Sequence, residues 1–308
     1  MPTPDERISG SGLAYAIGAY GIWGFMPVFF ATLAPAGSWE IVAARIVFSL
    51  VFCLILITVT RAFSRLRTLL RRPRTVAVLA VAGFLVAGNW LIYVFAALNG
   101  RVLEASLGYF INPIVTVLLG VVVLRERLRP MQWAAIGISA VAVIVIVVGY
   151  GELPWVSLGL AATFGVYGLL KKRVGGSVDA VSGLTVETLA LSPFALAFLV
   201  WLSVQGTLVL GTQGTVHTLL MAASGVITAV PLLLFAAGSR RLPLTIMGVT
   251  QYVAPILQLI VGLFISGEHM STERWLGFGI VWLALIVLTV DMFVHGSRRR
   301  GAVVPQTP

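Results

Sequence analysis

Ten apolar stretches of about 20 residues, separated by short polar or basic stretches, extend along almost the whole chain. A helix of that length crosses the roughly 30 Å of hydrocarbon in a bilayer, because it rises about 1.5 Å per residue. The pattern therefore predicts an all-α integral membrane protein with ten transmembrane helices. They are expected near residues 12–31, 39–60, 76–98, 103–124, 131–149, 153–171, 183–203, 216–238, 244–266 and 274–294.

The composition excludes a soluble domain. Hydrophobic residues make up 59% of the 308 residues and charged residues 10%, whereas soluble domains are about 25% charged. The net charge of +10 comes from short basic clusters between the apolar stretches, a pattern that indicates membrane loops and not a nucleic-acid-binding surface. With ten spans and a cytoplasmic N-terminus, 18 of the 21 Lys and Arg residues lie on the cytoplasmic side. The positive-inside rule therefore predicts that both termini are cytoplasmic.

The two halves of the chain resemble each other. Residues 112–137 align without gaps with residues 254–279, at an offset of 142 that pairs Pro113 with Pro255. A GAYG motif in the first span resembles GVYG in the sixth, at an offset of 147. Each half contains five predicted spans, and an odd number of spans inverts the second half in the membrane. The sequence therefore predicts two inverted five-helix repeats.

This organisation divides the chain into four parts. Residues 1–11 form a cytoplasmic N-terminus, and residues 12–149 form the first five-helix repeat. The second repeat occupies residues 153–294. A basic cytoplasmic tail, residues 295–308, is expected to be disordered because it contains few apolar residues.

Prolines occupy matching positions in the fourth and ninth spans, within Asn112-Pro113 and Ala254-Pro255. Proline removes a backbone hydrogen bond, and a broken helix at membrane depth requires surrounding protein or a wet cavity. In inverted-repeat transporters such breaks border a substrate site near the midplane. We therefore predict that Pro113 and Pro255 are helix breaks lining a central cavity.

Polar, small and aromatic residues recur every three or four positions on several spans, so they share helix faces. Amides are costly in hydrocarbon, which favours either a cavity lining or hydrogen bonds to a neighbouring helix. Small residues on the same faces fit helix packing equally well. The candidate substrate-binding residues are Tyr20, Trp23, Asn89, Tyr93, Tyr109, Asn112, Tyr167, Gln251, Tyr252 and Gln258.

Apart from charges in the first or last turn of a span, which we set aside, two charged residues, Arg45 and Glu187, lie inside predicted spans, and the offset of 142 pairs them. Either they serve function, for example as a proton-coupling carboxylate, or they anchor helices by reaching a loop charge. Glu104 is the expected partner of Arg45, and Arg240 that of Glu187. Lys171 is a third candidate, at the cytoplasmic rim of the cavity.

Several blocks of sequence resemble the RarD-type group of the EamA family, in the drug/metabolite transporter superfamily. The resemblance covers nearly the whole chain and implies a ten-helix, two-repeat carrier of the bacterial inner (plasma) membrane. It also implies that the chain belongs to a group of proteins associated with chloramphenicol sensitivity. The blocks that carry it include AYGIWGFMPVFF (19–30), EIVAARIVFS (40–49), NWLIYVFAALNGRVLEASLGYFINP (89–113), FGVYGLLKK (164–172), LTVET (184–188), VPLLLFAAGSRRLPL (230–244) and QYVAPILQ (251–258).

The residue pattern favours a transporter over an enzyme. The sequence contains no HExxH or Ser-Lys motif and no nucleotide-binding GxxxxGK[ST], so we expect no catalysis, no cofactor and no direct use of ATP. Aromatic rings with neutral amides suit small uncharged or zwitterionic molecules with an aromatic or amphipathic part, including chloramphenicol-like compounds. We expect secondary export by alternating access. The expected partners are the small-molecule substrate and the lipid bilayer. The alternative is a passive channel or facilitator, and the sequence does not indicate an oligomeric state.

Overall fold

A computed structural model describes residues 9–125, 128, 130–150, 153–174, 178–242 and 244–301. Within these residues the chain is helical, without a strand. Its helices are α1 (Gly10–Ala31), α2 (Ser38–Val59), α3 (Phe63–Leu70), α4 (Pro73–Leu98), α5 (Val102–Leu124), α6 (Pro130–Tyr150), α7 (Trp155–Val174), α8 (Ala180–Val204), α9 (Gly214–Ser239), α10 (Leu244–Thr250), α11 (Val253–Ile260), the π-helical segment Val261–Ile265 and α12 (Thr272–Gly301).

Eight described helices are long and apolar enough to cross a membrane: α1, α2, α4, α5, α6, α8, α9 and α12. Large apolar side chains such as Phe194 and Val200 are exposed on them, as expected of helices that face lipid. The remaining two predicted spans correspond to shorter apolar helices, Trp155–Lys171 within α7 and Val253–Ile265. The all-helical membrane architecture is confirmed, and the count of ten spans stays a prediction.

The two predicted proline breaks differ from the structure. Helix α5 continues through Pro113, so the expectation of a break there is wrong. The ninth segment is interrupted by a turn at Gln251 and Tyr252, and Pro255 is the third residue of the helix that follows. Proline is tolerated in the first turn of a helix because the N–H groups there have no helical acceptor. Pro255 therefore begins a helix in the broken segment, whereas Pro113 only removes one hydrogen bond inside a continuous helix.

Helix α3 was not predicted, because its eight residues contain too few apolar positions to form a span. Leu66 and Leu69 are buried against Ile57, Leu79 and Val186, whereas the arginines of α3 are exposed. The helix is therefore amphipathic and packs its apolar side on the bundle.

Helices of the two halves interleave. Helix α2 packs against α8, and α6 packs against α12; α1 packs against α9, and α4 against α7. Gly225 allows one such close approach, because a Cβ there would overlap the backbone of Phe48. Gly108 does the same between α5 and the backbone of Ser157. Each half therefore completes its core with helices of the other.

The two ends of the chain are only partly described. Helix α12 continues to Gly301, so residues 295–301, which we expected to be disordered, continue the helix. Residues 302–308 of the predicted tail and residues 1–8 of the predicted N-terminus lie outside the described residues.

Candidate functional site

Five aromatic side chains form a continuous row between the two halves of the chain. The ring centroids of Phe30 and Tyr93 are 6.0 Å apart, those of Tyr93 and Tyr109 5.7 Å, those of Tyr109 and Phe164 6.1 Å and those of Phe164 and Tyr167 5.9 Å. These distances are typical of interacting aromatic pairs. We call this row, which passes through α1, α4, α5 and α7, the aromatic ladder.

Three further aromatic residues form a cluster next to the ladder. Tyr20 and Trp23 on α1 contact Phe235 on α9, with ring centroids 6.1 Å and 6.0 Å from it, and they lie 5.4 Å from each other. We call these three residues the aromatic triad. The ladder and the triad each contain residues of both halves, so movement of one half against the other would separate rings.

The carbonyl of Trp23 joins the triad to the ladder. Pro27 lies four residues later on α1 and has no N–H, so this carbonyl has no donor at its usual helical position. Instead it accepts hydrogen bonds from Tyr93 Oη at 3.4 Å and from Gln258 Nε2 at 3.2 Å. The proline therefore frees a carbonyl that connects α1 with α4 and α11.

Asn89 connects three helices. Its Nδ2 donates to the carbonyl of Leu160 at 3.0 Å and to Thr163 Oγ1 at 2.9 Å, and its Oδ1 accepts from Tyr109 Oη at 3.2 Å. The side chain is 1% exposed. Its hydrogen-bonding groups are used within the protein, which corresponds to the alternative interpretation of this amide as a link between helices.

Asn112 and Gln258 differ from Asn89 because each keeps an acceptor that has no partner among the described residues. Asn112 Oδ1 is buried without a hydrogen bond, and so is Gln258 Oε1. Buried oxygens without a donor are unusual, because the lost hydration costs about 1–3 kcal/mol. These two amides are therefore the better candidates for contact with a substrate.

Gln251 and Tyr252 lie apart from the ladder. Tyr252 stacks on Phe110, with ring centroids 6.5 Å apart, and Phe110 in turn contacts Phe278 and Trp282 on α12. Gln251 is half-buried at the turn that interrupts the ninth segment. Tyr252 therefore packs against Phe110 on α5 instead of joining the central rings.

Glu187 is paired at the end of the ladder, and its partner is not the expected Arg240. Oε1 of Glu187 lies 2.6 Å from Nζ of Lys171, and Oε2 accepts a hydrogen bond from Tyr167 Oη at 3.3 Å. Glu187 is buried and Lys171 is about one-third exposed. The carboxylate therefore joins α8 to α7 directly below the last ring of the ladder.

Arg45 lies beside the other end of the ladder. Its Cζ is 4.1 Å from the ring centroid of Trp90 and 5.5 Å from that of Phe30, and its Nε donates to Thr228 Oγ1 at 2.6 Å. The expected pairing with Glu104 is wrong, because Glu104 instead pairs with Arg101 at 2.9 Å.

Carboxylates also connect the two halves at the end of the bundle where α2 and α5 begin. Glu268 accepts hydrogen bonds from the N–H groups of Val102 at 2.5 Å and Leu103 at 3.0 Å, so it caps α5 from the other half. Glu40 similarly accepts from the N–H groups of Val209 and Leu210. Burial raises the pKa of the Glu268 carboxyl, opposed by these two N–H groups and by Arg274.

Sequence reasoning missed Trp90 and Phe30, because neighbouring aromatic residues in an apolar stretch carry no signal of which one meets a charge. It also set aside Asp291 as a residue of a last helical turn, whereas α12 continues well beyond it and the side chain is fully buried. Within the described ranges, no group of three His, Cys, Asp or Glu side chains could hold a metal ion.

Comparison with known proteins gives the same architecture. The model of the EamA-like transporter family matches twice, at residues 10–148 and 153–290. A solved crystal structure that is 17% identical matches 91% of this chain and 98% of its own, with a TM-score of 0.60, which supports the fold alone.

Curated relatives match over nearly the full chain. Protein RarD of Streptomyces exfoliatus is 43% identical over 98% of this chain and 96% of its own, and Protein RarD of Escherichia coli is 37% identical over 96% and 99%. Chloramphenicol-sensitive protein RarD of Pseudomonas aeruginosa is 33% identical over 96% and 99%. The chain is therefore a RarD-type member of the EamA-like transporter family, a multi-pass membrane transporter built from two EamA repeats.

Proposed function

We propose that this transporter is a secondary exporter of small uncharged or zwitterionic aromatic or amphipathic molecules, working by alternating access. The observation that carries the proposal is the aromatic ladder, whose rings come from both repeats and meet between them. Rings supply apolar contact area, and the unpaired oxygens of Asn112 and Gln258 supply a few fixed acceptors. Such a lining suits cargo with a ring and a few hydrogen-bonding groups.

The helix pairing supports an inverted arrangement of the repeats. Under the sequence offset, α1 corresponds to α7 and α4 to α9, so the α1–α9 pair corresponds to the α7–α4 pair, and both are observed. The α2–α8 and α6–α12 pairs correspond to themselves. This is the pattern expected of two repeats related by a two-fold axis, as in inverted-repeat transporters. The topology that we propose has ten spans, with both termini on the cytoplasmic side of the inner membrane.

Contacts at the helix ends supply the closure that alternating access requires. At the end that we assign to the outside, Glu268 and Glu40 connect the repeats through backbone N–H groups. At the other end, the guanidinium of Arg241 lies 5.1 Å from the ring of Tyr15. In the proposed cycle these contacts break in turn, and the ladder rings part to admit cargo.

The test is counterflow in liposomes that contain the purified protein, with labelled phenylalanine as the zwitterionic probe and labelled chloramphenicol as the neutral probe. A carrier moves label faster when unlabelled compound is present on the far side. The passive channel or facilitator that is the alternative transports without this acceleration. If the protein transports the probes but neither probe shows accelerated exchange, alternating access is contradicted.

A second measurement identifies the cargo without choosing a probe compound beforehand. Cells that lack the protein should retain more of its cargo than cells that express it, because export lowers the internal concentration. An untargeted comparison of retained metabolites should therefore reveal aromatic or amphipathic compounds. Accumulation restricted to sugar phosphates would contradict the proposed substrate class, since the ladder offers no cluster of Arg and Lys for phosphate.

A further inference from the structure

Arg45 is the charged side chain next to the ladder whose charge is not balanced. Arg45 is 3% exposed, and its backbone lies about 10 Å along α2 from the first residue of that helix. No acidic side chain among the described residues pairs with it, whereas Lys171, at the opposite end of the ladder, is neutralised by Glu187. An isolated buried cation is costly, so its presence calls for a compensating group.

The neighbours of Arg45 orient the guanidinium without neutralising it. Trp90 and Phe30 provide ring faces, and Thr228 accepts from Nε while donating its own hydroxyl hydrogen to the Ser224 carbonyl at 2.7 Å. Stacking and one neutral hydrogen bond leave the positive charge in place. They hold the planar group in one orientation, which is the condition for paired recognition of a planar anion.

One donor of this group is unused. Nη1 of Arg45 is buried and has no hydrogen-bond partner in the described part of the chain. Phe30, whose ring centroid is 5.5 Å from Cζ of the same guanidinium, is the first ring of the ladder and lies 6.0 Å from the ring of Tyr93. The unused donor and the aromatic surface therefore belong to one site.

From this arrangement we infer that Arg45 is an anion subsite, and that the transported molecule is an aromatic carboxylate whose acid group binds Arg45 while its ring lies among the ladder rings. The inference rests on the proposed function and changes its substrate class: zwitterions that carry a carboxylate are kept, aromatic acids are added and molecules without an acid group are excluded. A carboxylate matches the guanidinium in shape and charge, and binding would supply the missing neutralisation.

Calorimetry on the purified full-length protein in detergent tests the subsite with two ligands of nearly equal shape, 3-phenylpropionate and 3-phenylpropanamide. Both present the same ring, but only the acid is charged at neutral pH. The wild-type protein should bind the acid roughly 10- to 100-fold more tightly than the amide, the range of a charge-assisted hydrogen bond. Equal affinity for the two ligands, or no binding of the acid, would overturn the inference.

Variants locate the effect. Arg45→Gln should lose the preference for the acid while keeping its affinity for the amide, and Arg45→Lys should keep part of the preference because it retains the charge without the planar fork. Arg101→Gln is the matched control, since it removes another ring-stacked guanidinium, 5.4 Å from the ring centroid of Trp155 and outside the ladder, and should leave both affinities unchanged. A preference that persists in Arg45→Gln would assign the anion to another residue. The wild-type comparison of acid and amide needs no variant, so it remains decisive if Arg45→Gln folds poorly.

Binding and transport are separable outcomes. If the acid binds through Arg45 but no aromatic probe shows counterflow, the proposed transport cycle fails and the anion subsite stands. If phenylalanine and chloramphenicol show equal counterflow while calorimetry finds no preference for the acid, the transport cycle stands and the subsite is wrong.

Discussion

The Nζ atom of Lys171 lies 2.6 Å from Oε1 of Glu187, which places an ion pair between α7 and α8 at one end of the aromatic ladder. The two partners are buried unequally, because Glu187 is 1% exposed and the Lys171 side chain is 32% exposed. Removing either partner therefore has different consequences. A lysine without its acid can extend toward solvent, whereas a carboxylate without its lysine stays buried.

This inequality predicts that Lys171→Met destabilises the protein more than Glu187→Gln does. Breaking a buried pair by removing the cation costs about 3 kcal/mol, the lower end of the usual range, because this lysine is partly exposed. The double variant should recover much of that loss, since no unpaired charge remains. Thermal unfolding in detergent measures all three, and a Glu187→Gln protein that is less stable than Lys171→Met would contradict the prediction.

The same carboxylate is the candidate for coupling to protons. If Glu187 carries the coupling proton, Glu187→Gln should lose the dependence of transport on a pH gradient and retain counterflow, because the amide resembles the protonated acid in shape. If Glu187 is only an anchor, folded yield falls and the response to the gradient per folded molecule is unchanged. Liposome transport normalised to folded protein distinguishes these results. A Glu187→Gln protein that matches wild type in folded yield and in its response to the pH gradient would exclude both the coupling role and the anchoring role.

Asn112 and Asn89 should respond oppositely to substitution by leucine. Asn112→Leu removes an amide whose oxygen has no partner, so stability should stay near wild type while cargo affinity falls roughly 5- to 150-fold, equivalent to about 1–3 kcal/mol. Asn89→Leu removes hydrogen bonds that join three helices and should lower stability by about 2 kcal/mol or more.

Gln258→Leu is the companion variant, because its oxygen is also unpaired while its nitrogen donates to the Trp23 carbonyl. It should show both a loss of affinity and a small loss of stability. Well-folded Asn112→Leu and Gln258→Leu proteins with unchanged transport would remove these amides from the cargo site.

Glu268 predicts a pH dependence of stability. Burial raises its pKa in the folded protein, so the folded state holds this proton more tightly than the unfolded chain does. The contribution of this carboxyl to the free energy of unfolding is therefore fully present below its pKa in the unfolded chain, about 4.3. It is lost as the pH rises through the raised pKa of the folded protein. The melting temperature of wild type should fall relative to that of Glu268→Gln as pH increases over this range. A difference between the two proteins that does not change with pH would contradict the raised pKa.

The proposed topology can be tested with single cysteines, because the chain contains only Cys53, which is buried. In a Cys53→Ala background, Gln205→Cys should react with a membrane-impermeant maleimide in intact cells, since Gln205 is exposed in the loop between α8 and α9. Arg71→Cys, exposed after α3, should react only in opened cells. The reverse pattern, or labelling of both in intact cells, would overturn the inverted ten-span arrangement.

Hydrophobic length and residue composition by themselves determined that this chain is a helical membrane protein, because those properties are local. The internal alignment of residues 112–137 with 254–279 determined that its two halves are related. The family resemblance also followed from sequence blocks alone, since side-chain identity needs no coordinates. Aromatic residues such as Tyr93, Tyr109 and Tyr167 could be placed on inward helix faces from their spacing. Their arrangement into one ladder could not, because it depends on how helices of different repeats are packed.

Only the tertiary structure decided which polar groups have partners. Asn89 and Asn112 are the same residue type in adjacent helices, yet one is satisfied by α5 and α7 and the other keeps a free oxygen. Glu187 forms an ion pair with Lys171, whereas Arg45 lies against aromatic rings and not against an acid, although the two residues occupy matching positions in the repeats. Partners approach across distances of more than 100 residues along the chain in some cases, so the free energy of a buried charge is a property of the folded neighbourhood and not of the local sequence.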